Sequence, residues 1–280
     1  MSLATPKFIL PMLLLVIGIT AFAQTTRPSG TTPMDRVKHL KDFQVIEFRR
    51  YTIKDGEREH FAEYFENYFP EAFQQMGAIA FGQFFERKNP TMFTWMRGFK
   101  NTDARAVINA GFYYGPLWRE HASTLNSLMV DSSNVLLLQP LTPERAVIVL
   151  PSVDPVKERN GAHGVVVAQI FAVKPNSVEA FVKKAEAIFA GYSTPGVREA
   201  GILVTLDVPN NFPQLPIRTD GPYLVWLGII KDDQTLEGRF IPLTEHSGES
   251  LLATGLLRSA PELVILNPTR RSRLRWLDDK

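Results

Sequence analysis

Apolar positions recur with two different periods along this chain, and the two periods succeed one another in a regular order. Phe43 to Ile53 is a β-branched and aromatic run that reads as a strand. Lys54-Asp55-Gly56 supplies a turn, with Asp55 placed to cap the segment that follows. Phe61, Tyr64, Phe65 and Tyr68 then fall at helical spacing and make one apolar face, ended near Pro70. Phe81 to Arg87 and Met92 to Phe99 are two more strands around an Asn89-Pro90 turn. Asn101 or Thr102 opens a helical segment that Gly115-Pro116 interrupts, and Pro116 suits the first position of a new helix. Val135 to Leu138, followed by Gln139-Pro140, is a fourth strand.

The same succession returns further on. Pro143, Pro151, Pro155 and Asn160-Gly161 mark residues 141–163 as a linker, within which Ala146 to Leu150 is a candidate short strand. Val165 to Val173 reads as a strand, and Val178, Phe181, Val182, Ala185, Ile188 and Phe189 share one helix face. Lys174-Pro175-Asn176 parallels Lys54-Asp55-Gly56, Trp226 and Lys231 keep the spacing of Trp95 and Lys100, and Leu266-Asn267-Pro268 repeats Leu138-Gln139-Pro140. Landmarks matched in order, with loops absorbing the drift between them, predict a tandem duplication. Each unit reads β-α-β-β-α-β, the split motif of ferredoxin-like folds. A four-stranded sheet with helices on one face leaves its other face uncovered, so the two sheets are expected to cover each other. The predicted fold is therefore α+β: two tandem ferredoxin-like (dimeric α/β-barrel) units, residues 43–140 and 164–268, forming an intrachain pseudo-dimer.

The ends of the chain read differently. Lys7 precedes an apolar run from Phe8 through Phe22 that closes on Ala21-Phe22-Ala23, the pattern of a cleavable secretory signal over residues 1–23. Residues 24–42 read as a flexible spacer, rich in Thr, Pro, Ser and Gly at its start. A periplasmic or secreted location is expected, with no integral membrane segment after cleavage. Arg270, Arg271, Arg273 and Arg275 make residues 269–280 a basic tail, expected to be solvated. The 31 basic and 29 acidic residues nearly cancel, which argues against a nucleic-acid partner. With no cysteine there is no disulfide and no lipidated N-terminal Cys, so core burial must carry stability.

Side chains alternate along a strand, so Glu47, Arg49 and Tyr51 share one face of the first strand and Ile46 and Phe48 the other. The apolar pair is expected to pack on the helices and the polar set to point into the barrel interior, joined by Trp95 and Arg97. An acid–arginine pair beside aromatics suits a small-molecule pocket, or equally a structural ion pair between sheets. His121 follows Trp118 on one helix face, while His60 reads as solvated, His39 belongs to the spacer, and His163 and His246 lie in loops. No metal-ligand spacing, nucleophile elbow, dinucleotide fingerprint or phosphate loop occurs, so neither a metal nor a cofactor is predicted.

Three stretches together carry a resemblance. They are Phe93-Thr94-Trp95-Met96-Arg97-Gly98-Phe99, Phe112-Tyr113-Tyr114-Gly115-Pro116-Leu117-Trp118-Arg119-Glu120-His121, and Asn126 with Asp131-Ser132-Ser133-Asn134-Val135-Leu136-Leu137-Leu138. The pattern resembles the NIPSNAP family over residues 43–140, and the second half is similar only in outline. The resemblance implies a dimeric α/β-barrel fold and no particular activity, although related barrels include cofactor-free monooxygenases and haem enzymes. Because the second half has no counterpart of Tyr114-Gly115-Pro116-Leu117-Trp118, the candidate site is placed in the first: Glu47, Arg49, Tyr51, Trp95, Arg97, Tyr114, Trp118 and His121. The leading expectation is a small aromatic or amphipathic ligand held in the barrel interior. The alternatives are a cofactor-independent enzyme, monooxygenase- or isomerase-like with Glu47 or His121 as acid or base, and a protein-interaction module. A homo-oligomer is left open. A filled interior would count against both ligand readings.

Overall fold

A computed structural model describes residues 38–150 and 163–276. The expected signal segment, residues 24–37 of the spacer, the middle of the linker and the last four residues lie outside the described residues.

The first half comprises β1 (Lys38–His39), β2 (Val45–Ile53), α1 (Arg58–Tyr68), α2 (Pro70–Gln75), β3 (Ile79–Glu86), β4 (Met92–Phe99), α3 (Thr102–Tyr113), α4 (Pro116–Leu128) and β5 (Met129–Pro140). The second comprises β6 (Ile148–Val149), β7 (Val165–Ala172), α5 (Val178–Tyr192), β8 (Val197–Thr205), β9 (Tyr223–Ile230), α6 (Asp233–Thr235), a π-helical turn at Leu236–Phe240, α7 (Ile241–Ala253) and β10 (Glu262–Pro268). Local chemistry sets several boundaries. The Asn101 side chain accepts from the Ala104 N–H at 2.8 Å and caps α3. Gly115 turns α3 into α4 where a Cβ would lie 2.4 Å from the Gly111 carbonyl oxygen, and Pro116 opens the new helix.

Eight strands close into an antiparallel barrel in the order β10-β3-β4-β2-β5-β8-β9-β7. Each half contributes four neighbouring strands with the same internal order, β3-β4-β2-β5 and β8-β9-β7-β10. Three residue pairs join β5 to β8, and three more join β10 to β3, so the halves meet at their sheet edges. Residues 38–39 of the expected spacer pair with Ile148–Val149 of the expected linker, which turns both segments into part of the fold.

Three apolar clusters fill the molecule. One draws on all eight barrel strands, with Ile46, Phe48, Met96, Leu136, Val166, Val225 and Leu266 among its members, and occupies the interior. Leu40, Val149, Leu274 and Trp276 extend it across the end of the barrel where β2 and β7 begin. The second cluster lies between the first four-stranded sheet and α1–α4, and the third between the other sheet and α5–α7. At the opposite mouth, Arg50 pairs with Glu86 at 2.6 Å and Glu262 at 2.8 Å.

Two expectations are corrected. Ile46 and Phe48 fill the interior, while Glu47, Arg49, Tyr51, Trp95 and Arg97 face the helices. Both faces of this sheet are buried, so alternation sorts residues into two sets without saying which set is inside. The basic tail is not solvated as far as residue 276. Ser272, Leu274, Arg275 and Trp276 are buried, and the Leu274 N–H donates to the Phe81 carbonyl. The Arg198 guanidinium also lies over the Trp276 ring, 4.0 Å from its centroid.

That docking has a measurable consequence. Leu274→Ala is expected to lower stability by about 2–5 kcal/mol in urea unfolding, the usual cost of emptying a buried leucine site. A solvated tail would show no change.

Candidate functional site

β2 presents Glu47 and Arg49 to the helix side two residues apart, and β4 sets Arg97 directly across from Glu47 and Trp95 across from Arg49. Arg105, one turn into α3, reaches the same point from above. The Glu47 carboxylate accepts 2.6 Å hydrogen bonds from Arg49 Nη1, Arg97 Nε and Arg105 Nε. All four residues are fully buried. Burial alone would push the Glu47 carboxyl up. The charges of Arg97, Arg49 and Arg105, with the Arg97 hydrogen bond, outweigh it and hold the group well below the usual carboxylate range. Arg97 is also packed among rings, with its guanidinium carbon 4.9 Å from the Phe73 centroid and 5.1 Å from those of Trp95 and Phe99.

Against this cluster lies a cavity of about 340 Å³. Tyr51 and Trp95 contribute from the sheet, while Phe69, Phe112 and Trp118 are among the helix-side walls. Met129 and Ser132 border it from β5. The last wall comes from the second half: the β8–β9 connection carries Phe212, Gln214 and Leu215 over to the cavity. Asn210 and Asn211 pin that connection by accepting from Arg105 Nη1 at 3.1 and 2.7 Å, and Asn211 also donates to the Thr102 carbonyl. No lining residue is charged. The Tyr51 hydroxyl accepts from Arg49 Nε at 2.8 Å, which links cavity to cluster.

Of the eight residues singled out from sequence, Tyr51, Trp95, Tyr114 and Trp118 line the cavity. Glu47, Arg49 and Arg97 form the charged layer behind it. His121 stands apart from the lining: its Nδ1 is 2.7 Å from the Tyr64 hydroxyl and its ring stacks on Tyr68 at 3.9 Å. Sequence reading missed Arg105, whose helical setting gives no hint of a buried partner in β2. It also missed Phe212, where the available signal was a long connection, residues 206–222, between two strands.

Among the described residues no cluster of His, Asp or Glu could hold a metal ion, and no helix is long and apolar enough to cross a membrane.

Comparison with known proteins supports the architecture. The NIPSNAP family model matches residues 46–143, which span most of the first half of the barrel. Among curated proteins no relative is detected. A provisionally assigned monooxygenase from Lactobacillus acidophilus is 15% identical, with 84% of this chain covering 100% of that one at a TM-score of 0.51. An anthrone oxidase-like protein is 11% identical, with 87% and 99% of the two chains covered at a TM-score of 0.57. A NIPSNAP family protein from Agrobacterium tumefaciens is 20% identical, covering 37% of this chain and 92% of its own, with a TM-score of 0.34. At these identities the two larger structures are alike in fold alone.

Glu47→Gln leaves three buried guanidiniums without their counter-charge and is expected to cost about 3–5 kcal/mol in denaturant unfolding. A depressed folded-state pKa makes the stabilisation by Glu47 fully present above the unfolded carboxylate pKa of about 4.3, and lost progressively as pH falls below it. The acid branch of the stability profile should therefore be shallower in Glu47→Gln. An unchanged midpoint and an unchanged acid branch would remove the cluster from the list of stabilising contacts.

Proposed function

We propose that this protein binds a small aromatic or amphipathic molecule in the cavity between the first-half sheet and its helices. The observation that carries the reading is the cavity itself: about 340 Å³, walled largely by aromatic rings, with a few polar groups at its edge. Small-molecule sites usually span about 300–1,000 Å³ and share that character. The expected location moves, because the barrel interior is packed with apolar side chains. The filled interior overturns both readings that put a ligand there and is what the interaction-module alternative expects; the helix-side cavity is a separate site, proposed on its own lining. A larger hollow of about 690 Å³ beside the β5–β8 seam has no aromatic residue in its lining and is the weaker candidate.

An acid–base enzyme built on Glu47 or His121 has less support. Glu47 is held ionised by three arginines, fully buried behind the cavity wall and outside the lining, out of reach of a substrate proton. His121 is not part of the lining. The monooxygenase-named structures share the fold, and fold does not transfer chemistry.

Two further parts belong to this reading. Export to the periplasm or beyond is proposed from the apolar run Phe8 to Phe22 and its Ala-Phe-Ala end. A tandem origin for residues 43–140 and 164–268 is proposed from their common strand order and from the parallel registers Arg49↔Trp95 and Gln169↔Trp226.

Titration with 2-naphthol tests the binding reading. Saturable quenching of tryptophan fluorescence is expected in the wild-type protein. Ser132→Trp, which places a large ring in the cavity from a half-buried strand position, should abolish it with the melting temperature nearly unchanged. Equal binding by both proteins would place the ligand elsewhere.

A further inference from the structure

The charge layer behind the cavity is not balanced. One carboxylate faces three guanidiniums, and among the described residues Arg49, Arg97 and Arg105 have no other ion-pair partner. Two positive charges are thus buried without a counter-charge, which is a costly arrangement in a low-dielectric interior. The donor inventory leans the same way. Arg97 Nη1 and Nη2 and Arg105 Nη2 are buried with no hydrogen-bond partner. So is the indole N–H of Trp95, a cavity-lining residue. The Tyr51 hydroxyl accepts from Arg49 Nε, so its own hydrogen is free to be donated at the cavity surface. No carboxylate lines the cavity to receive it.

The second half shows that the barrel does not require these charges. At the matching helix-facing positions it carries Val167 opposite Gly228 where the first half has Glu47 opposite Arg97, and Gln169 opposite Trp226 where the first has Arg49 opposite Trp95. The one carboxylate in that layer, Glu199 opposite Gly228, pairs with the part-exposed Arg145 at 2.5 Å, and the same strand order closes there without a buried cluster of guanidiniums.

We infer that the molecule held in this cavity carries an anionic oxygen, such as a carboxylate, on its aromatic frame, and that this group sits at the Tyr51–Trp95 end facing the arginine layer. The inference rests on the binding reading above and specifies it. The uncompensated guanidiniums supply a positive field through the thin wall of Trp95, Phe73 and Tyr113, whose rings lie 4.9–5.8 Å from Arg97. Tyr51 supplies an oriented O–H whose oxygen is already polarised by Arg49.

A matched pair of probes decides the matter: 2-naphthoate and 2-naphthylmethanol, titrated calorimetrically at constant ionic strength. The carboxylate is expected to bind about tenfold more tightly or better, as a charge-assisted contact in a buried site requires. Tyr51→Phe should remove most of that preference, bringing the ratio of the two affinities close to one. If Tyr51→Phe fails to fold, Trp95→Phe, which removes the unpartnered N–H, takes its place with the same expectation. Equal affinity for the two probes overturns the anion inference and leaves the cavity reading standing. Binding of neither probe overturns both. Naphthoate binding that survives Ser132→Trp shows an anion site elsewhere and overturns the inference too.

Discussion

Closure of the eight-stranded sheet is the constraint on which the rest of this structure depends. A barrel of this size has an interior just wide enough to be filled by its own side chains. Ile46, Phe48, Met96, Val166, Val225 and Leu266 fill it, and the strands have no water-facing side left to spend on charge. Every polar group in the central part of a strand must therefore be accommodated beneath the helices or at a mouth. Arg50 takes the second course, with Glu86 and Glu262. Glu47, Arg49 and Arg97 take the first, and the aromatic residues of α1–α4 surround them. The position of the cavity follows: it lies where bulky rings and a charged layer must share the space between sheet and helices.

Much of this was legible in the chain. Phe61, Tyr64 and Phe65 announced α1 because a helix of period 3.6 covers a sheet with one stripe, and Gly115-Pro116 marked a corner that the Gly111 carbonyl leaves room for only at glycine. Which face of β2 looks inward was not legible, because two buried faces offer no polar reference and the charge of Glu47 suits a lumen as well as a helix-covered layer. Arg105 escaped notice because a helical arginine ordinarily points to water, and its carboxylate partner lies far away in sequence. The arginines of the C-terminal segment hid the apolar pair Leu274 and Trp276 that docks it. In each case the missing information was tertiary: what stood opposite.

The two halves share a strand order, so their facing layers can be compared position by position. Gly228, across from Val167, lets the Trp226 ring lie where a Cβ would come within 2.4 Å of it. Arg97 holds the corresponding place in the first half, and its guanidinium takes space that rings occupy in the second. One half is satisfied at this layer by packing and a single part-exposed pair, Glu199 with Arg145. The other keeps four ionised groups out of water, and the lower cost of the apolar solution makes that retention the clearest asymmetry in the molecule.

The β8–β9 connection gives that asymmetry a mechanical meaning. Phe212 belongs by sequence to one half and by contact to the other, with Asn210 and Asn211 tying it to the Arg105 that also grips Glu47. Neither half alone owns a complete cavity. The seam between the sheets thus acts as a shared hinge-pin: a chain cut into its two four-stranded pieces would lose the wall before it lost the strands, and changes in one half are answerable to the other.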